Sequence, residues 1–131
     1  MTEFLVRAAA RLRDDDLGAD VLVLAEHEDG SGRRLELQRS LDVTEQDRLQ
    51  GMDTYALSTE TGAVHYGGIR AWSLESDQVQ LDLDDEAAAA LQADGGFRLT
   101  LADPGSQAAV IDSGLSEIVG DDIAADPRSS S

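Results

Sequence analysis

Residues 66–91 read YGGIRAWSLESDQVQLDLDDEAAAAL, and the class of fold is decided within this stretch. Gly67-Gly68 permits a tight turn or bulge, because glycine reaches positive φ without steric cost. Ile69 to Leu74 then form a strand, and Glu75-Ser76-Asp77-Gln78 turns the chain. Val79, Leu81 and Leu83 alternate with Gln78, Gln80 and Asp82, the period of a half-buried strand. Asp84 stands where a helix N-cap belongs, with Asp85 and Glu86 in the first turn, where the macrodipole favours acids. Ala87 to Leu91 are strong helix formers, and Gly95-Gly96 is the expected stop. Trp72 shares a strand face with Arg70 and Leu74, against Ile69 and Ala71. Its expected place is the core, and the same periodicity leaves a partner-facing anchor open.

Outward from this stretch the same two periods recur. Phe97, Leu99 and Leu101 alternate with Arg98 and Thr100 in a further strand. Beyond the break at Asp103-Pro104-Gly105-Ser106, the spacing of Ile111, Leu115 and Ile118, extended by Ala108 and Val119, predicts a helix over about 106–119. Upstream, Tyr55 to Ser58 and Ala63 to Tyr66 flank a four-residue hairpin loop closed by Gly62. VLVLA (21–25) is apolar on both faces and reads as a central strand. Across a loop at 28–32, Leu35, Leu37 and Leu41 alternate with Glu36, Gln38 and Ser40 as its hairpin partner. Thr44 to Gln50 carries a weak capping box and predicts one or two helical turns. Phe4, Val6, Ala8, Ala10 and Leu12 alternate with Glu3, Arg7, Arg11 and Arg13. That is a strand pattern, although Leu5 and Ala9 interrupt it and leave a helix possible. The sum is an α+β fold: a mostly antiparallel sheet of about seven strands with two helices packed on it. The 131 residues suit one domain, expected over 1–119. The remainder, GDDIAADPRSSS (120–131), has the composition of a disordered tail.

The formal net charge is −17 and all ten basic residues are arginine. Residues 1–50 hold 7 Arg against 12 acids, and 51–131 hold 3 Arg against 15. So negative a surface repels nucleic acid and anionic membranes and favours a basic protein partner. A salt-adapted or Arg- and Ala-rich proteome produces the same composition, so the charge alone leaves both origins open. Cysteine is absent, which removes disulfides, thiol nucleophiles and cysteine metal sites. The amino terminus is a poor signal peptide, with Glu3 and several arginines breaking its apolar run, and no run is long enough to span a bilayer. The expected location is the cytoplasm.

Chemistry has few places to reside. His27 and His65 both lie at strand ends, and no G-x-S-x-G elbow or paired-His zinc spacing accompanies them. Asp82-Leu83-Asp84-Asp85-Glu86 crowds four carboxylates but lacks the glycine and distal glutamate of a calcium loop. Asp14-Asp15-Asp16 reads as a solvated turn. The glycine pairs have neither the lysine nor the spacing of a phosphate loop. No catalytic residue, metal or cofactor is expected, and the chain reads as a binding protein and not an enzyme.

The segment DTYALSTETGAVHYGGIRAWSLESDQVQLDLDDEAAAAL (53–91) resembles the core of immunity-protein family ten of bacterial polymorphic toxin systems. The resemblance runs over about 53–101, carried by Tyr66, Gly67, Gly68, Trp72 and the helix start at Asp84, and fades over 1–45 and beyond 104. It implies an antidote that neutralises a cognate toxin by binding it, with no catalytic residues to carry over. The partner-binding candidates are then Tyr66, Gly67, Gly68, Trp72, Asp84 and Asp85. The alternative is a non-enzymatic structural or regulatory binding domain of unknown partner, its acidity reflecting the genome or salt adaptation.

Overall fold

The computed structural model describes residues 1–14, 18–29, 31–40 and 54–120. The helical turns expected over 44–50, the acidic turn at 15–16, Leu41 and the tail over 121–131 lie outside the described residues. The class is α+β, as expected, with the described strands divided between two sheets. Strands β1 (Thr2–Val6), β2 (Ala8–Asp14), β3 (Ala19–Ala25) and β4 (Arg34–Ser40) lead into β5 (Ala56–Thr59), β6 (Val64–Tyr66), β7 (Ile69–Glu75) and β8 (Gln78–Leu83). Helix α1 (Asp85–Ala90), β9 (Gly96–Leu101) and α2 (Pro104–Ile118) complete them. One sheet has the order β1-β9-β8-β7 and the other β2-β3-β4-β5-β6. All neighbours pair antiparallel except β1 and β9, which run parallel from Thr2 opposite Phe97 to Val6 opposite Leu101.

The described strands number nine, and two stretches depart from the reading of their sequence. The first is the amino-terminal run, which is divided into two strands. Phe4 and Val6 are buried in the four-stranded sheet. The chain then crosses at Arg7, whose N–H donates to the Ala25 carbonyl at 3.0 Å, and continues in the five-stranded sheet. The crossing resets the phase. Leu12, expected inside, is 61% exposed, and Arg11, expected outside, points inward. The second change is in β7, where the register shifts between Ile69 and Ala71. Ile69 is therefore buried while Ala71 is exposed, and the two do not share a face. The helix α2 starts at Pro104, which the sequence read as part of a breaker. Proline is tolerated in the first turn, where its missing N–H would have no partner.

Inward-facing leucines of β3, β4 and β5 (Leu22, Leu24, Leu35, Leu37 and Leu57) form one core with Val79, Leu81 and Leu99 of the other sheet. Ile111, Leu115 and Ile118 of α2 and Ala87 and Leu91 at α1 complete it. Each fully buried leucine or isoleucine contributes roughly 1.5–3 kcal/mol, so this shared core is what joins the two sheets.

One ion network ties α2 to the five-stranded sheet. Arg11 Nε and Nη2 donate to both carboxylate oxygens of Asp20, at 3.1 and 2.7 Å, and Asp20 is only 4% exposed. The same guanidinium also donates to Ser113 and Glu117 on α2. The hydrogen bond from Arg11 holds the Glu117 carboxyl below the usual glutamate range. Its folded-state pKa is depressed, so its contribution to stability is present above the ordinary value of 4.5 and is lost as pH falls below it. Arg11→Met is expected to lower unfolding stability by about 2–4 kcal/mol, because it strips a buried carboxylate of its bidentate partner. Urea denaturation at neutral pH measures this, and an unchanged midpoint would show that Asp20 is satisfied without Arg11.

Candidate functional site

Three of the six candidate residues are brought together at one corner of the fold. Tyr55 is fully buried just before β5, and its hydroxyl accepts a hydrogen bond from the Ile69 N–H at 2.8 Å. Its carbonyl accepts from the Gly67 N–H, also at 2.8 Å. The next peptide, at Gly68, accepts from the Asp84 N–H at 2.9 Å, and Asp84 Oδ1 in turn caps α1 by accepting from the Ala87 N–H at 2.8 Å. His65 Nδ1 lies 3.1 Å from the Gly67 carbonyl oxygen, and its Nε2 lies 4.0 Å from Glu86. Gly67, Gly68 and Asp84 thus hold β6, β7 and α1 in place through backbone and capping bonds.

The other three candidates sit apart. Tyr66 is 43% exposed at the end of β6. Asp85 is exposed in the first turn of α1. Trp72 lies opposite Leu81 on β7, an edge strand of the four-stranded sheet, partly buried and packed against the core. Its position falls between the core ring expected and an open anchor. Tyr66 and Asp85 are therefore the candidates that present a side chain freely to solvent.

Tyr66 also borders a hollow of about 340 Å³ on the outward side of β4, β5 and β6. Gln38, Ser40, Ala56, Ser58 and Val64 line it with Tyr66. Its walls are small, neutral and open to solvent, with hydrogen-bonding groups beside exposed apolar ones. Such a surface suits contact with another macromolecule more than capture of a small molecule. Sequence reading missed this patch. Hairpin arithmetic that carried Val64 and Tyr66 to the face opposite His65 would have found it.

Among the described residues, neither histidine is paired with a nucleophile. His27 approaches Arg7 at 3.4 Å and Glu26 at 3.6 Å on an exposed loop, and His65 is held at the corner just described. Among the described residues, no group of three or more His, Cys, Asp or Glu side chains is placed to hold a metal ion, and no helix is long and apolar enough to cross a membrane.

The role of Tyr55 can be tested by removing one atom. Tyr55→Phe leaves the packing intact and the buried Ile69 N–H without its acceptor, so a loss of about 1–3 kcal/mol is expected in thermal or urea unfolding. A change below about half a kcal/mol would mean that the N–H finds water instead.

A family model described as Immunity protein 10 matches residues 6–109. The match takes in β2 to β9 and the start of α2, well beyond the 53–101 over which the sequence resemblance was strongest. No curated protein and no solved structure matches the chain.

Proposed function

The chain belongs to the immunity protein 10 family, and from that premise we propose that it binds a cognate protein toxin in a stoichiometric complex and so neutralises it inside the cell. The observation that carries this reading is the family match over residues 6–109. Inhibition by occlusion needs a surface and no reactive centre, which agrees with the character of the hollow bordered by Tyr66. The partner is a basic protein, since a net charge of −17 attracts one and accelerates encounter.

The direct test is growth. If a toxin gene adjoins this one, its product, expressed alone, should arrest a bacterial host, and co-expression of this chain should restore growth. The purified pair should elute as one complex. Failure of both rescue and complex formation would leave a structural or regulatory domain as the better reading. The charge component is tested separately by stopped-flow mixing. The association rate should fall as salt rises towards 0.15 M, where exposed charges are screened beyond about 8 Å. A rate indifferent to salt would remove electrostatic attraction from the account while leaving the antidote role in place.

A further inference from the structure

We infer that the outward face of the five-stranded sheet is the toxin-docking surface, and that it receives an apolar ridge of the toxin framed by basic side chains; this rests on reading the chain as a toxin-binding antidote. Register places the surface without ambiguity. Leu12, Val21, Gln38, Ala56 and Tyr66 stand opposite one another in a single row across all five strands. In the adjacent row, Val23, Glu36 and Val64 lie on the same side. The opposite side of these strands holds the buried leucines, so this side faces away from the core.

Two observations single it out. Four large hydrophobic side chains are exposed among the described residues. Leu12 at 61%, Val64 at 54% and Tyr66 at 43% all belong to this one face, and Met1 is the fourth. Charge is sparse there: among its described side chains only Arg34 and Glu36 are of charged type, and they are of opposite sign, while Asp14 stands on this side at its outer row by register. In a chain with 27 acidic residues, this is a sparsely charged, largely apolar face. Exposed apolar area depleted of charge, with an aromatic residue and hydrogen-bonding groups beside it, is the make-up of an interface centre.

The charge also selects the occupant. A second copy of this chain would bring another −17 against the first and would be repelled around the rim. A basic protein finds attraction at the rim and apolar contact at the centre.

The experiment uses the full chain and the toxin that the growth test pairs with it, with affinity measured by calorimetry. The double variant Val64→Ser/Tyr66→Ser changes exposed side chains only and should bind at least about 100-fold more weakly, the scale of losing central contacts. Asp112→Asn, on the exposed side of α2, should bind within about threefold of the unsubstituted chain, as expected of a residue outside the interface. Hydroxyl-radical labelling gives a second measure that needs no variant: Leu12 and Tyr66 should be oxidised in the free protein and protected in the complex. Unchanged affinity of the double variant, with a complex still formed by the unsubstituted chain, overturns the location and leaves the antidote reading intact. Protection of both residues in the free monomer overturns it too, because the face is then already covered by the chain itself. A free protein that dimerises through this face, and becomes monomeric on Val64→Ser/Tyr66→Ser, overturns it in favour of a second copy. No complex with the unsubstituted chain removes the antidote reading and this inference together.

Discussion

Gly96→Ala is expected to cost about 4 kcal/mol or more, a large share of the 5–15 kcal/mol that holds a typical domain together. Two independent costs combine at this position. The residue sits at φ +133°, a conformation that side-chain-bearing residues rarely adopt. A Cβ there would also overlap the Leu81 carbonyl oxygen and stand 3.0 Å from its carbon and 3.2 Å from the Leu83 nitrogen. All three atoms are backbone of the neighbouring central strand, so no rotamer change relieves the overlap. Either β9 separates from β8 at its first pair, Asp82 with Gly96, or the strand shifts register. The near-ultraviolet circular dichroism of the variant should be weakened and its urea midpoint lowered or lost. A wild-type midpoint would mean that the start of β9 is looser than this packing implies.

The second large effect is at Gly68, and its test is a reversal of sign. The residue is at φ +103°, and an added Cβ would overlap the Ala87 Cβ and lie 3.3 Å from His65 Nδ1. Gly68→Ala is therefore expected to cost about 3 kcal/mol, divided between backbone strain and the clash with α1. Ala87→Gly alone should also destabilise, by roughly 1 kcal/mol, because glycine weakens a helix interior. In the Gly68→Ala background the same change should instead recover about 1–2 kcal/mol, since it removes the atom that the introduced methyl group would strike. A double-mutant cycle by chemical denaturation reads this directly. Simple additivity would show that α1 moves away to make room, and the corner would then be soft. Binding measurements on Gly67, Gly68 or Asp84 variants need this control, because a loss of binding there can follow from loss of fold.

What the sequence disclosed depended on whether the signal was local. From Val79 to Leu101 it was. The alternations through Val79, Leu81 and Leu83 and through Phe97, Leu99 and Leu101 are all buried as the period requires, and Asp84 caps α1. At Leu12 and Arg11 the period was legible and the phase was not. Nothing in residues 1–14 announces that the chain changes sheets at Arg7, and only partners farther along the chain, Asp20 on β3 with Ser113 and Glu117 on α2, make an inward arginine tolerable. At Ile69 and Ala71 a bulge of one residue had the same effect on phase. The helix after β8 also ends sooner than its glycines suggest. Leu91 and Gln92 turn the chain, with Gln92 at φ +56°, and Gly95-Gly96 opens β9 instead. The candidate residues were chosen for matching a family pattern, and such a pattern mixes positions that shape the fold with positions that meet a partner. Gly67, Gly68 and Asp84 have structural partners within the domain, whereas Leu12 and Val64 carried no local mark that would have separated them from core hydrophobes.

The parallel pairing of β1 with β9 bears on when the molecule can exist at all. Thr2 waits for Phe97, and nearly every other described strand is made between them. At about 5–20 residues per second, a ribosome needs roughly 5–20 s to add that interval. Through it, β1 has no neighbour in its own sheet, and β8 lacks one of its two. An unpaired strand edge is a template for joining other chains. A message truncated before residue 96 would therefore yield an adhesive fragment and not a weakened form of the protein. Contacts so distant in sequence also make for slow folding. Any activity of the folded chain therefore lags behind the start of translation by a synthesis delay and a folding delay.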